Sequence, residues 1–226
     1  MWVRELLARH APSGRLLDVG AGDGFVARSL HERGRDIVAV DAAFDTTDVA
    51  ALVSDGIKAQ KALPFEQGFS AVLLLDVLEH VDDDLALLRE AAACIDDGGV
   101  VIVTVPAWPS LFSAHDRALG HRRRYTPTEL EQLLRAAELS VVEGGGLFHA
   151  LRLVRAVQVQ VERWSGADLR PPLSDVARFQ APALVAETIA AALRVEQHLS
   201  RAVAQRRSIR HGLPGLSCFA VARVQR

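Results

Sequence analysis

Leu16-Leu17-Asp18-Val19-Gly20-Ala21-Gly22-Asp23-Gly24 is an apolar strand running straight into a glycine-rich turn, and a helical pattern follows from Phe25 to Arg33. Glycines are needed where the chain reverses tightly and where backbone must approach a ligand without a Cβ in the way; the helix beyond offers free N–H groups. A ligand is expected there. The second apolar run ends Val38-Ala39-Val40-Asp41, which puts a carboxylate at a strand terminus beside the turn, where it can accept from both hydroxyls of a ribose. The two features together imply a nucleoside-containing cofactor.

Nicotinamide and flavin enzymes share the strand, turn, helix and acid, but their fingerprint is G-x-G-x-x-G. Here the glycines fall at 20, 22 and 24, residue 25 is Phe, and Asp18 sits inside the motif. Asp18 and Asp23 beside the turn would repel a pyrophosphate and welcome a cationic amine or sulfonium. The charge argues against a dinucleotide.

Outward from this turn, short apolar runs alternate with helical patterns, the rhythm of a largely parallel sheet covered on both faces. Strands are expected at Leu16 to Val19, Ile37 to Val40, Ile57 to Ala59, Ala71 to Leu75, Val100 to Val105, Val141 to Glu143 and Cys218 to Ala222. Helices are expected at Trp2 to Arg9, Phe25 to Arg33, Asp48 to Ser54, Asp83 to Cys94 and Pro127 to Ala137. Asp82, Asp83 and Asp84 read as a capped helix start in preference to a metal site. Thr126-Pro127-Thr128-Glu129 carries a capping box with proline at the first helical position. Residues 145–213 break the alternation and read as a helical insertion between a core of 1–144 and a return at 214–226. Its first amphipathic segment is Leu147 to Trp164; Pro171-Pro172 separates it from a second, Pro182 to Ala204. A helical layer on the same core is the simplest reading, beside a lid, a dimer surface or a pad on a membrane.

Composition excludes several classes. The 226 residues are 50% apolar, enough for a packed core, and the net charge of −2 gives no global field for gripping nucleic acid. No N-P-P-Y or D-P-P-Y base-flipping motif stands at the fourth strand, where Asp76-Val77-Leu78-Glu79 is found. Cys94 and Cys218, far apart and without nearby ligands, suit a reducing cytosol. The first residues lack a signal pattern, and no window approaches a membrane span. A cytoplasmic protein is expected. Arg152, Arg155 and Arg163 flank the apolar stripe of 147–164, as in helices lying on the inner face of a membrane.

At this point the chain resembles the class I S-adenosylmethionine-dependent methyltransferases, over about residues 1–144 and the final strand. The shared motifs are LLDVGAGDG, the acid at Asp41, the Leu63-Pro64-Phe65 turn with the strand and Asp76-Val77-Leu78-Glu79-His80 after it, and Gly98-Gly99-Val100 to Pro106. The resemblance implies a Rossmann-like α/β sheet of order 3-2-1-4-5-7-6 with the last strand antiparallel. It implies S-adenosylmethionine as cofactor, with Gly20, Gly22 and Gly24 along the methionine portion, Asp18 holding its amine and Asp41 the ribose. Relatives place an acid for the adenine shortly before the Leu63 turn; this chain has Gln60, so the backbone at Ala62 and Leu63 is expected to do more. Asp76 joins this cofactor set. In quinone-biosynthesis O-methyltransferases an E-x-x-E-H at Asp76, Glu79 and His80 is associated with magnesium. Asp76 shortens the first ligand, and a helix-start cluster bonding backbone amides is expected there instead, with no metal.

Methyl transfer from a sulfonium is an in-line displacement, so the protein must align donor and acceptor, exclude water and remove a proton from the acceptor. The long loop after the fifth strand is richest in suitable groups. His115, beside Asp116, and His121 are the candidate bases, and Trp108, Arg122, Arg123 and Tyr125 the candidate acceptor contacts. The acceptor expected is an oxygen or nitrogen of a small or lipid-like molecule. The competing reading is a protein that binds the cofactor or a partner without turnover.

Overall fold

The computed structural model describes residues 2–165 and 215–224. Among them, β1 (Arg15–Val19), β2 (Ile37–Val40), β3 (Lys58–Gln60), β4 (Phe69–Leu75), β5 (Ile95–Pro106), β6 (Leu139–Leu147) and β7 (Ser217–Val224) form one sheet of order β3-β2-β1-β4-β5-β7-β6. The first five strands are parallel, and β7 runs antiparallel between β5 and β6. The helices are α1 (Trp2–His10), α2 (Phe25–His31), α3 (Thr46–Ser54), α4 (Asp84–Ala93), α5 (Ala114–Ala118), α6 (Pro127–Ala136) and α7 (His149–Ser165).

Strand side chains alternate between faces, so the near-continuous apolar runs feed two cores at once. Leu17, Val72, Leu74, Val101 and Val103 pack under Leu88 of α4 and Leu130 and Leu134 of α6. Leu16, Leu73 and Ile102 face Leu6 and Leu7 of α1, Leu30 of α2 and Leu52 of α3. Glu143 on β6, 8% exposed, accepts from Arg9 (2.6 Å) and meets His10 (2.6 Å), which ties α1 to the sheet's far edge.

Two strand boundaries differ from the sequence reading for the same reason. β5 starts at Ile95, not Val100, because Ile95 already pairs with Phe69 before an irregular stretch through Gly98 and Gly99 restores pairing at Val100. β6 continues through Gly144, Gly145 and Gly146 because their backbones pair with Ala220, Phe219 and Cys218. Ladder bonds need no side chain, so apolar patterning does not record them. The caps agree with expectation: the Asp83 side chain accepts from Ala86 N, and Thr126 and Glu129 close a capping box. The expected helix at Leu147 to Trp164 is α7, whereas Pro171-Pro172 and Pro182 to Ala204 lie outside the described residues. No described helix is long and apolar enough to cross a membrane.

The order places β1 between β2 and β4, so the chain turns opposite ways on leaving β1 and β4. Ligands of such sheets lie in the crevice outside the carboxyl ends at this point.

Candidate active site

The glycine turn stands at that crevice, and its three glycines answer to different constraints. Gly20 (φ 71°) and Gly24 (φ 76°) are left-handed, and a Cβ on them would lie 2.5 Å from Val77 Cγ2 and from Leu52 Cδ2 respectively. Gly22 (φ 55°) has nothing within 4 Å of that position. Gly20 therefore lets the turn after β4 close on the loop, Gly24 seats α2 on α3, and Gly22 needs only its torsion. Gly20→Ala is expected to cost about 2–4 kcal/mol, from left-handed strain plus overpacking, while Gly22→Ala costs about 1 kcal/mol for strain alone. Chemical denaturation checks the pair; equal losses would remove the Val77 contact as the reason for Gly20.

Asp41 holds the turn in place. Its Oδ2 accepts from Gly22 N and its Oδ1 from Ala43 N, both at 2.8 Å, while Gly20 N and Ala21 N donate to Val40 O. The carboxylate keeps free lone pairs, since each oxygen accepts more than one bond. A cleft of about 660 Å³ opens here, lined by Gly20, Asp41, Ala62, Leu63 and Asp76 among the expected residues. Gly22, Gly24, Asp18 and Gln60 do not line it. Gln60 Nε2 instead donates to Ala62 O at 2.7 Å and shapes the 60–62 turn. Sequence reasoning missed Lys61, Val77, His80, Leu87 and Glu90 as lining residues. Leu87 and Glu90 are three apart on α4, a spacing that puts them on one helix face.

Asp18 lies behind the cleft at the end of β1, 2% exposed, with Oδ2 lacking any hydrogen-bond partner. Burial, helped by the negative charge of Asp41, pushes its carboxyl up to about 7. A cation brought near it would recover what burial costs.

The loop after β5 is organised differently from expectation. Arg122 Nε donates to His80 O at 2.8 Å and its guanidinium pairs with Asp82; Arg123 pairs with Asp84 at 3.0 Å and donates to Val81 O and Asp82 O. Tyr125 is 5% exposed, its hydroxyl donating to Asp84 Oδ2 (2.7 Å) and lying 3.1 Å from Leu78 O. Trp108 Nε1 donates to Gly215 O at 2.7 Å, with the Arg152 guanidinium over its ring. None of these four lines the cleft, and each is held in place by the protein bonds just described. They clamp the turn after β4 and the start of α7.

His115 is likewise off the cleft. Its Nδ1 is buried without a hydrogen-bond partner, and burial together with the Arg155 charge lowers its pKa. His121 is better placed: its Nδ1 stands 3.1 Å from Asp116 Oδ1, and its ring meets that of cleft-lining His80 edge-on at 4.7 Å.

The magnesium set implied for Asp76, Glu79 and His80 does not assemble. Asp76 accepts from Thr104 Oγ1 at 3.1 Å, and the ligand atoms that converge within 4.8 Å belong to Glu79, His80 and His121. Glu79 is 0% exposed, and neither carboxylate oxygen has a hydrogen-bond partner.

Comparison with known proteins agrees with this geometry. Residues 2–144 match a family model described as a methyltransferase domain. The chain is 29% identical over 161 residues to the ubiquinone biosynthesis O-methyltransferase of Xanthomonas campestris pv. campestris, covering 61% of this chain and 67% of that one. The 1,6-didemethyltoxoflavin-N1-methyltransferase of Burkholderia thailandensis, solved with S-adenosylhomocysteine, superposes with a TM-score of 0.52 at 23% identity, over 63% of this chain and 68% of that chain. A S-adenosylmethionine-dependent methyltransferase of Archaeoglobus fulgidus gives 0.54 at 17% identity, over 97% and 92%. With the sheet order of the class I S-adenosylmethionine-dependent methyltransferases and a family match over most of its described residues, this chain belongs to the methyltransferase-domain family.

Proposed function

We propose that the cleft binds S-adenosylmethionine and that the protein transfers its methyl group to an oxygen or nitrogen of a small or lipid-like acceptor. The observation that carries this reading is the meeting of Gly20, Asp41 and the Ala62-Leu63 segment on one cleft, with the buried Asp18 carboxylate, whose Oδ2 has no hydrogen-bond partner, behind it. A nucleoside fits the end where Asp41 has lone pairs to spare for ribose hydroxyls and the 61–63 backbone offers bonds to a base. The cationic amine of the methionine portion is drawn toward Asp18, whose burial makes an unneutralised charge costly. The acceptor then enters from the side of Asp76 and His80, which line the same cleft, to meet the sulfonium methyl in line.

Oxygen is favoured as the receiving atom by the O-methyltransferase relative, and nitrogen stays in the proposal through the N1-methyltransferase of like fold. Residues 145–213 are proposed to shape the acceptor site. In support, α7 docks on the loop after β5: Arg155, 8% exposed, donates to Ser113 Oγ and stands 3.5 Å from Asp116. Leu153, Val157 and Trp164 are exposed on the same helix, which keeps lipid-like acceptors in the proposal.

Asp41→Ala tests the cofactor half. Loss of charge-assisted bonds to a ribose and of the Gly22 anchor is expected to weaken S-adenosylhomocysteine binding by about 10- to 100-fold, read by calorimetry with folding confirmed by circular dichroism. Unchanged affinity, or tighter binding of NAD by the unaltered protein, would sink the assignment.

A further inference from the structure

We propose that Glu79, His80 and His121 bind a borderline divalent metal ion of the zinc and cobalt class at the edge of the cleft, in place of the magnesium site that the resemblance implies. The convergence within 4.8 Å joins the turn after β4, which supplies Glu79 and His80, to the loop after α5, which supplies His121. Ligands about 2.1 Å from a tetrahedral centre stand about 3.4 Å apart, so a bound ion would draw these atoms closer than the 4.8 Å within which they already lie.

Three features beyond proximity point to a metal. The Glu79 carboxyl is fully buried and neither oxygen has a hydrogen-bond partner, an arrangement that is costly without a cation. His121 Nδ1 is held by Asp116, a carboxylate fixed in turn by Arg124 at 2.7 Å, which leaves Nε2 as the free donor. The His80 ring meets the His121 ring edge-on at 4.7 Å, which sets the two imidazoles side by side at the edge of the cleft. Ligating imidazoles characteristically carry such a carboxylate or carbonyl behind them, and that outer bond fixes tautomer and ring direction.

The identity of the ion follows from the donors. Magnesium demands oxygen ligands in an octahedron, and this set offers one carboxylate. Two imidazoles and a carboxylate match the open three-ligand sites of zinc, with the remaining position directed to solvent or substrate. His80 also lines the cleft, so that position would lie where an acceptor oxygen arrives. The metal site does not itself depend on the cofactor assignment.

The test is calorimetry of the chelator-treated full chain with zinc and with magnesium, together with cobalt titration followed by visible absorption. Zinc is expected to bind at least about tenfold more tightly than magnesium, with cobalt giving the absorption of tetrahedral coordination. His121→Asn and His80→Gln should each weaken zinc by about tenfold or more, while Asp76→Asn leaves it unchanged. His80→Gln alters an exposed side chain and keeps the test open if His121→Asn fails to fold. Tighter magnesium binding, zinc affinity lost in Asp76→Asn, or zinc affinity retained in both histidine variants would overturn the proposal. S-adenosylhomocysteine affinity measured alongside separates this outcome from that of the cofactor reading.

Discussion

Asp116→Ala is expected to lower the unfolding free energy by about 3–5 kcal/mol, because it leaves buried cations without their counter-charge. The carboxylate is 0% exposed and accepts from Arg124 Nε at 2.7 Å, Ser113 N at 3.0 Å and His121 Nδ1 at 3.1 Å, with Arg155 at 3.5 Å. Arg124 and Arg155 are each 8% exposed, so water cannot replace the lost partner. Burial alone would raise the Asp116 carboxyl, but the His121 and Arg124 hydrogen bonds and the Arg124 charge outweigh it and hold it well below the ordinary carboxylate range. A depressed acid stabilises the fold above its unfolded pKa and loses that contribution as pH falls toward the folded one. The unaltered protein should therefore lose stability below about pH 4, and Asp116→Ala should lack that component. Urea denaturation across pH checks both; a loss under about 1 kcal/mol would mean that solvent reaches the network.

How much of this was legible in the letters depends on whether a side chain or the backbone carries the information. The glycine turn, Asp41 and the alternating runs stated the fold, because apolar periodicity and glycine torsions are side-chain facts. The extension of β6 through Gly144 to Gly146 was hidden, since glycines pair through backbone groups that leave no pattern. At the site, adjacency in sequence misled. Arg122, Arg123 and Tyr125 read as acceptor contacts, yet the fold brings Asp82 and Asp84 from some forty residues upstream to pair with the two arginines and to accept from the Tyr125 hydroxyl. The acidic triplet had its own local explanation as a cap, which only Asp83 fulfils as such. His121 could be found as a histidine but not as the partner of Glu79 and His80, because that juxtaposition exists only once the β4 turn and the loop after α5 are packed.

Asp18→Asn is expected to stabilise the protein and to disable it. With its folded pKa raised from 3.8 to about 7, the native state holds a proton that the unfolded chain has released across that interval. The native state then binds more protons than the unfolded one, so stability falls as pH rises from about 4 to 7 and stays low above it. The full shift corresponds to at most about 4 kcal/mol. Asparagine has nearly the same shape and no charge to bury, so the variant should melt several degrees higher at pH 8 and close to the unaltered protein at pH 4. Cofactor binding should move the other way. If the carboxylate neutralises the amine of the methionine portion, the unaltered protein must give up its proton to bind, and its affinity should weaken by up to about tenfold per pH unit below 7. Asp18→Asn should bind weakly at every pH. Asp41 contributes to the raised pKa, so Asp41→Ala should shift the midpoint of this profile to lower pH. Thermal denaturation and calorimetry at matched pH values measure both halves. A stability gap between Asp18→Asn and the unaltered protein that does not grow between pH 4 and 8 would show that Asp18 ionises freely in the fold, and with that the reason for a cation beside the glycine turn would be gone.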